Sequence, residues 1–162
     1  MLAPAKSNKD TTLSIKSKDA TALLKADHKL VAALFTDYEA TNSTAKKKQL
    51  VTQICMQLTI HAQVEEEIFY PAVQKALKDH ELVPEATVEH ATLKELIAQI
   101  KGIEPDGEMF DAKVKVLSEY VKHHVKEEEG EMFPEAKSAK LDLVALGAQM
   151  AERKQQLSSN YA

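Results

Sequence analysis

The stretch His61-Ala-Gln-Val-Glu65-Glu66-Glu67-Ile-Phe-Tyr70-Pro71 is written a second time as His124-Val-Lys-Glu-Glu128-Glu129-Gly-Glu-Met-Phe133-Pro134. In both copies a His is followed by Glu at +4 and +5, an aromatic at +9 and Pro at +10. His and Glu four residues apart lie one turn apart on the same helix face. An imidazole and a carboxylate stacked in that way can ligate a metal, and two such helices facing each other can hold two metals. Upstream of each copy is a second match. Asp27-His28-Lys-Leu-Val31 parallels Glu89-His90-Ala-Thr-Leu93, and the offset between copies is 62 to 63 residues throughout. Each half is therefore a helical hairpin with one lone His and, 33 or 34 residues later, a His-x-x-x-Glu.

The totals agree with a helical reading. A chain of 162 residues makes one domain with a real core. Only 4 Gly, 5 Pro and 5% aromatics, beside abundant Ala, Leu, Lys, Glu and Gln, favour helix over sheet. A net charge of −4 leaves no basic stripe, which argues against nucleic acid as a partner. The single Cys rules out an internal disulfide and fits a reducing compartment. Residues 1–20 carry no apolar signal region, and no apolar run approaches the ~20 residues of a membrane span. These features predict a cytoplasmic chain with no membrane contact.

The expected architecture is all-α: an up-down-up-down four-helix bundle with a polar N-terminal tail and a short C-terminal fifth helix. Residues 1–19 form the tail, 20–137 the bundle, and 138–162 the final helix and its end. Helix A starts at a cap near Ser17 to Asp19 and runs to about Thr41. Asn42-Ser43-Thr44 turns the chain and caps helix B, which runs from Ala45 to Lys78 with a kink or break at Pro71. Helix C begins at Pro84 and stops at Lys101-Gly102. After a turn at residues 103–107, helix D covers residues 108–131, with Pro134 beyond it. Residues 139–157 carry apolar side chains at 141, 144, 148 and 151 and form the fifth helix.

Metal ligands inside a bundle must lie on the buried stripes, which advance in steps of three and four. The stripes read Leu24, His28, Val31, Phe35 on helix A and Ile54, Leu58, His61, Glu65, Ile68 on helix B. They read Val83, Ala86, His90, Leu93, Ile97, Ile100 on helix C and Val114, Leu117, Val121, His124, Glu128, Met132 on helix D. Polar residues enter only at His28, His61, Glu65, His90, His124 and Glu128. A buried carboxylate is costly unless it is paired or ligates a metal. Four buried His and two buried Glu, with no Arg on any stripe, call for a cation.

Competing assignments separate on the same test. His123 shares a stripe with Val116, Tyr120 and Glu127, but the alignment on Pro71 and Pro134 and the more apolar phase favour His124. His80 reads as a surface residue between helices. Glu66, Glu67, Glu127 and Glu129 lie off the His face and read as solvated. Cys55 reads as a small buried or boundary residue, and Tyr38, Tyr70 and Tyr120 as packing or rim residues.

Imidazole and carboxylate without thiolate suit iron, manganese or zinc. The duplicated pattern places His28 and His61 on one ion and His90 and His124 on the other. Glu65 and Glu128 bridge the two ions, with an oxo or hydroxo group completing the bridge. Such a di-iron centre, open and walled by apolar residues, suits O2, NO or peroxide.

These residues, over roughly 20–137, resemble the hemerythrin-like HHE cation-binding family. The resemblance rests on His28, His61-x-x-x-Glu65, His90 and His124-x-x-x-Glu128, with the flanking Glu66, Tyr70-Pro71, Glu129 and Phe133-Pro134. It implies a four-helix bundle around two non-heme iron ions, manganese or zinc being the lesser candidates. The family includes oxygen carriers, sensors of oxygen, iron or nitric oxide, iron-repair proteins and peroxide-decomposing proteins. Two positions depart from the carriers: Lys94 stands where they have a further His, and Glu128 where they have Asp one residue later. With one His fewer the two irons become nearly equivalent, which moves the expectation from reversible carriage toward sensing, storage or stress protection. A catalase-like peroxide enzyme and a non-redox, metal-stabilised interaction module stay open beside it. The sequence assigns no catalytic residue and no oligomeric state.

Overall fold

The structure, a computed structural model, describes residues 19–78, 80–103 and 107–161. The N-terminal tail expected over residues 1–19 lies outside them except for its last residue. Helix α1 spans Ala20–Ala40, capped by Asp19, whose carboxylate accepts from the Ala22 N–H at 2.9 Å. Helix α2 spans Thr44–Val64, capped by the Ser43 hydroxyl. It passes directly into a wider π turn over Glu65–Phe69 and then into α3, Tyr70–Ala76. Helix α4 covers Leu82–Lys101 and α5 covers Glu108–Glu127. A second π turn, Glu128–Met132, leads into α6, Phe133–Ser138. Helix α7, Leu143–Ser159, is capped by Asp142 through the Ala145 N–H. Side-chain caps of this kind are worth about 1 kcal/mol each. Gly107 enters α5 with φ 135°, a conformation that L side chains rarely adopt.

The described residues form an all-α bundle that departs from the sequence reading mainly at its prolines. Pro71 does not end the helical run, and Pro134 lies inside one. In each copy the Glu carbonyl accepts from an N–H five residues on, Tyr70 to Glu65 and Phe133 to Glu128. That wider turn hands the chain to a fresh helical segment with Pro in its first turn, where a missing N–H costs little. Helix α4 also begins two residues before Pro84, and α7 begins at Leu143 rather than at 139.

The core has two apolar clusters. One gathers Leu24, Ile60, Val64, Phe69, Val73, Met132, Phe133 and Met150; the other gathers Val31, Phe35, Ile54, Leu58, Leu93, Ile97, Leu117 and Val121. The buried His and Glu residues form a polar layer between them. Along α1, for example, Leu24 belongs to one cluster, Val31 to the other, and His28 lies between. Each large apolar side chain buried here contributes roughly 1.5–3 kcal/mol, and the two clusters clamp the polar layer from both sides. Helix α7 packs on α1, α2 and the first π turn, so it covers the first hairpin.

Candidate metal centre

All six residues picked out on the stripes are buried and meet in the polar layer. His28, His61, Glu65, His90, His124 and Glu128 are each no more than 9% exposed. Ligand-capable atoms of Glu65, His90, His124 and Glu128 lie within 4.8 Å of one another, as do those of His28, His61 and Glu128. Among these contacts, His61 Nε2 is 3.0 Å from Glu65 Oε1, and His90 Nε2 is 3.2 Å from the same oxygen. His124 Nε2 is 3.1 Å from Glu128 Oε2, and His28 Nε2 is 3.2 Å from Glu128 Oε1. His80 is exposed, and Cys55 is buried with a free thiol well off this layer.

The rings are held from behind by a second set of carboxylates. His61 Nδ1 donates to Asp27 at 2.9 Å and His124 Nδ1 donates to Glu89 at 2.7 Å. His90 Nδ1 is 3.3 Å from Glu66; His28 Nδ1 lies 3.4 Å from Glu129 without a hydrogen bond between them. The arrangement follows the internal repeat. The acid before each lone His serves the other His of its own hairpin, and the acid after each buried Glu lies beside a lone His of the other hairpin. Glu66 and Glu129 are therefore not the bland surface residues that their Glu runs suggest. Glu67 does pair at the surface, with Arg153 of α7. Lys94 donates to Glu66 at 2.7 Å, while Lys154 of α7 donates to Asp27.

A carboxylate on Nδ1 fixes the proton there and leaves Nε2 as a lone pair. All four Nε2 atoms then face inward onto carboxylate oxygens, and His90 Nε2 faces His124 Nε2 at 3.2 Å. Acceptors oppose acceptors. His28 Nε2, His61 Nε2, both oxygens of Glu65 and Glu128 Oε1 are buried with no hydrogen-bond partner. Burying such atoms unsatisfied costs about 1–3 kcal/mol each, and more when they are charged. Cations at the centre of the layer satisfy them all, so the donor set fits metal.

Without metal, protons take that role. Burial alone lowers the His124 pKa, but Glu128, Glu65 and Glu89 outweigh it and lift it to about 9. His61 is likewise lowered by burial and raised far more by Glu65 and Asp27, ending well above its ordinary value. Burial raises Glu128, but hydrogen bonds from Glu65, His124 and His28 and the charge of His124 hold it well below the usual carboxylate range.

Tyr70 is a member of the site that stripe reading misses. Its hydroxyl donates to Glu128 Oε2 and lies 3.2 Å from His90 Nε2 and 3.3 Å from His124 Nε2. Burial, then the charges of Glu65 and Glu128, push the phenol well above its usual pKa. In an α-helix a residue at i+5 sits about 140° round from i. The extra residue in the π turn reduces that angle and brings Tyr70 onto the Glu65 face. The matching residue of the second copy is Phe133, whose ring stacks on His28 with centroids 6.1 Å apart. The two ion positions are therefore less alike than the ligand count implies. Tyr38 and Tyr120 do stay off the centre: Tyr38 donates to Asp111 and Tyr120 is exposed.

Beside His61, His90 and His124 is a small cavity of about 30 Å³, walled by Leu58, Leu93, Ile97 and Val121, with Lys94 at its edge. Its exposed lining is almost wholly apolar.

Comparison with known proteins agrees with this geometry. Residues 19–136 match the Hemerythrin HHE cation binding domain. A DNA nickase from Nostoc sp. is 34% identical over 111 residues, which is 68% of this chain and 31% of that protein. The chain thus spans about a third of the length of this curated relative. A crystal structure of a Hemerythrin HHE cation binding domain-containing protein from Mycobacterium kansasii superposes with a TM-score of 0.77 and 23% identity. That match covers 88% of this chain and 89% of the other, and shows a shared fold.

Proposed function

This chain belongs to the hemerythrin HHE cation-binding family, and on that premise we propose that it is a non-heme di-iron protein that binds O2 or a related small molecule, NO or peroxide. The observation that carries the reading is the orientation of the His rings: His61, His90 and His124 turn Nδ1 outward onto a carboxylate, and all four rings turn Nε2 inward onto the oxygens of Glu65 and Glu128, of which both Glu65 oxygens and Glu128 Oε1 are unsatisfied. His28 and His61 would hold one ion, His90 and His124 the other, with Glu65 and Glu128 shared between them. Imidazole and carboxylate without thiolate favour iron over softer metals, with manganese or zinc as lesser candidates. Iron in this setting supplies redox chemistry toward oxygen ligands.

The chain's own residues do the rest. The outer carboxylates on His61, His90 and His124 fix those rings and raise their basicity. The cavity of about 30 Å³ gives room for a small molecule beside His61, His90 and His124, and its apolar walls disfavour bulk water. Sensing, storage or stress protection fits a small, enclosed site of this kind. The test is metal content and absorption of the isolated protein. About two irons per chain are expected, with near-UV bands that change on reduction and on exposure to NO. A protein that stays metal-free after growth in iron, or a spectrum indifferent to air, dithionite and NO, would sink the reading.

One observation favours peroxide turnover as a second reading. The Tyr70 hydroxyl, held protonated and directed at Glu128, places a proton donor within the layer. Peroxide consumption that falls in Tyr70→Phe while metal content is unchanged would support this. The activity in the name of the Nostoc relative belongs to a much longer protein, and a net charge of −4 argues against transferring it. Supercoiled plasmid mixed with the metal-loaded chain should stay supercoiled. No helix among the described residues is long and apolar enough to cross a membrane.

A further inference from the structure

We infer that Glu89, His123 and Glu127 form a surface site for a divalent cation, from which the buried layer is filled. The filling role rests on the buried residues holding metal; the surface site stands by itself. His123-x-x-x-Glu127 repeats the spacing of His124-x-x-x-Glu128 one residue earlier, and so points to the next face of α5. His123 Nε2 lies 3.1 Å from Glu127 Oε1 and 3.4 Å from Glu89 Oε2. One ligand-capable atom from each of the three residues lies within 4.8 Å of the others. The His123 side chain is 61% exposed, so an ion reaches it from water.

Glu89 joins this surface group to the interior. Its Oε2 faces His123, while its Oε1 accepts from the Nδ1 of buried His124 at 2.7 Å. Beside this group a narrow crevice is lined by Glu85, Glu89 and Glu127, with Leu82, Ala86 and Met132, and reaches His124 and Glu128. The Glu128 side chain is 1% exposed, and its Oε1 has no hydrogen-bond partner. Glu89 and Glu127 belong both to the surface group and to this crevice, which links that group to the buried pair.

The internal repeat provides a control. By the alignment on the two His-x-x-x-Glu units, Glu85, Glu89, His123 and Glu127 match Leu23, Asp27, Ile60 and Val64. Ile60 and Val64 are packed in the apolar cluster with Met150 and Leu157 of α7. Of the two hairpins, only the second carries His and Glu at these positions, so the loading route is on that side.

The test uses the protein as isolated. Mn(II) should bind as an exchangeable ion beyond the tightly held metal, read by loss of the free Mn(II) EPR signal. His123→Ala and Glu127→Gln, both at solvent-facing positions, should weaken that binding at least about tenfold. Both variants should also hold at most about half the wild-type iron when grown in iron-poor medium, and equal iron in rich medium. No exchangeable Mn(II) in the wild type, or unchanged binding in both variants, overturns the site. Equal iron content in poor medium overturns its role in filling. A wild-type chain without tightly held metal, but with Mn(II) binding that His123→Ala removes, would discard the buried centre and keep the surface site.

Discussion

The two hairpins offer the same inward residues and differ in what surrounds them. In the first, α7 lies over the metal layer, Lys154 is bonded to Asp27 behind His61, and Phe133 stacks on His28. In the second, Glu89 behind His124 also faces exposed His123, and the aromatic over His90 is Tyr70, with ring centroids 5.2 Å apart. The aromatics have crossed over: each hairpin sends its own into the half-site of the other. The shared inward residues are what the proposed metal centre would demand, the same donors on both sides. What lies outside the donors follows from whether a helix or water covers that face.

The largest expected effect comes from removing a residue that both half-sites share. Glu128 lies in both ligand groups, so Glu128→Ala should lower retained metal by well over half, measured by elemental analysis after gel filtration. If one ion stays at full occupancy, the two positions do not share Glu128. Next come the outer carboxylates, which separate the halves. Losing such a partner typically costs about 10- to 100-fold in metal affinity. Asp27→Asn should weaken the His28/His61 ion and Glu89→Gln the His90/His124 ion, each read by chelator competition. Equal loss of both ions in either variant would erase the distinction between halves.

A smaller effect concerns the metal-free chain. His61 and His124 have folded pKa values raised above the ordinary 6.5, His124 to about 9. Their contribution to stability is complete below 6.5 and is lost as pH rises through the raised values, about 9 for His124. Glu128 has a lowered pKa, so its contribution is lost in the opposite direction, as pH falls below the ordinary 4.5. The Tm of stripped protein should therefore be highest between these limits and fall toward pH 9, whereas metal-loaded protein should lack the alkaline fall. A parallel fall in both forms would mean that protons and metal do not exchange at these His rings. The smallest effect tests the cover itself. Asp142→Ala removes the α7 cap and should lower stability by about 1 kcal/mol in denaturant unfolding, with tightly held metal unchanged.

The six inward residues were legible because burial and periodicity constrain them: a polar residue on an apolar stripe stands out, and the internal repeat shows it twice. The acids before His28 and His90 were also on view in that repeat, although only the structure shows what they hold. Glu66 and Glu129 were hidden within runs of Glu whose ordinary meaning is a wet surface. Tyr70 was hidden for a geometric reason. Stripe reading assumes an even 100° per residue, and the assumption fails at the π turn that begins at Glu65. Pro71 signalled the irregularity but suggested a break where the chain makes a wider turn.

A π turn is an α-helix that has gained one residue. Each of the two begins at a buried Glu, so the insertion leaves every ligand upstream in place and rephases everything downstream by about 100°. Gly130 sits inside the second one, with nothing within 4 Å of the position a Cβ would take. A chain shortened there would keep His124 and Glu128 on their face and turn Phe133 off His28. A single-residue length change at this point would thus alter the walls of the centre while its donors stay fixed.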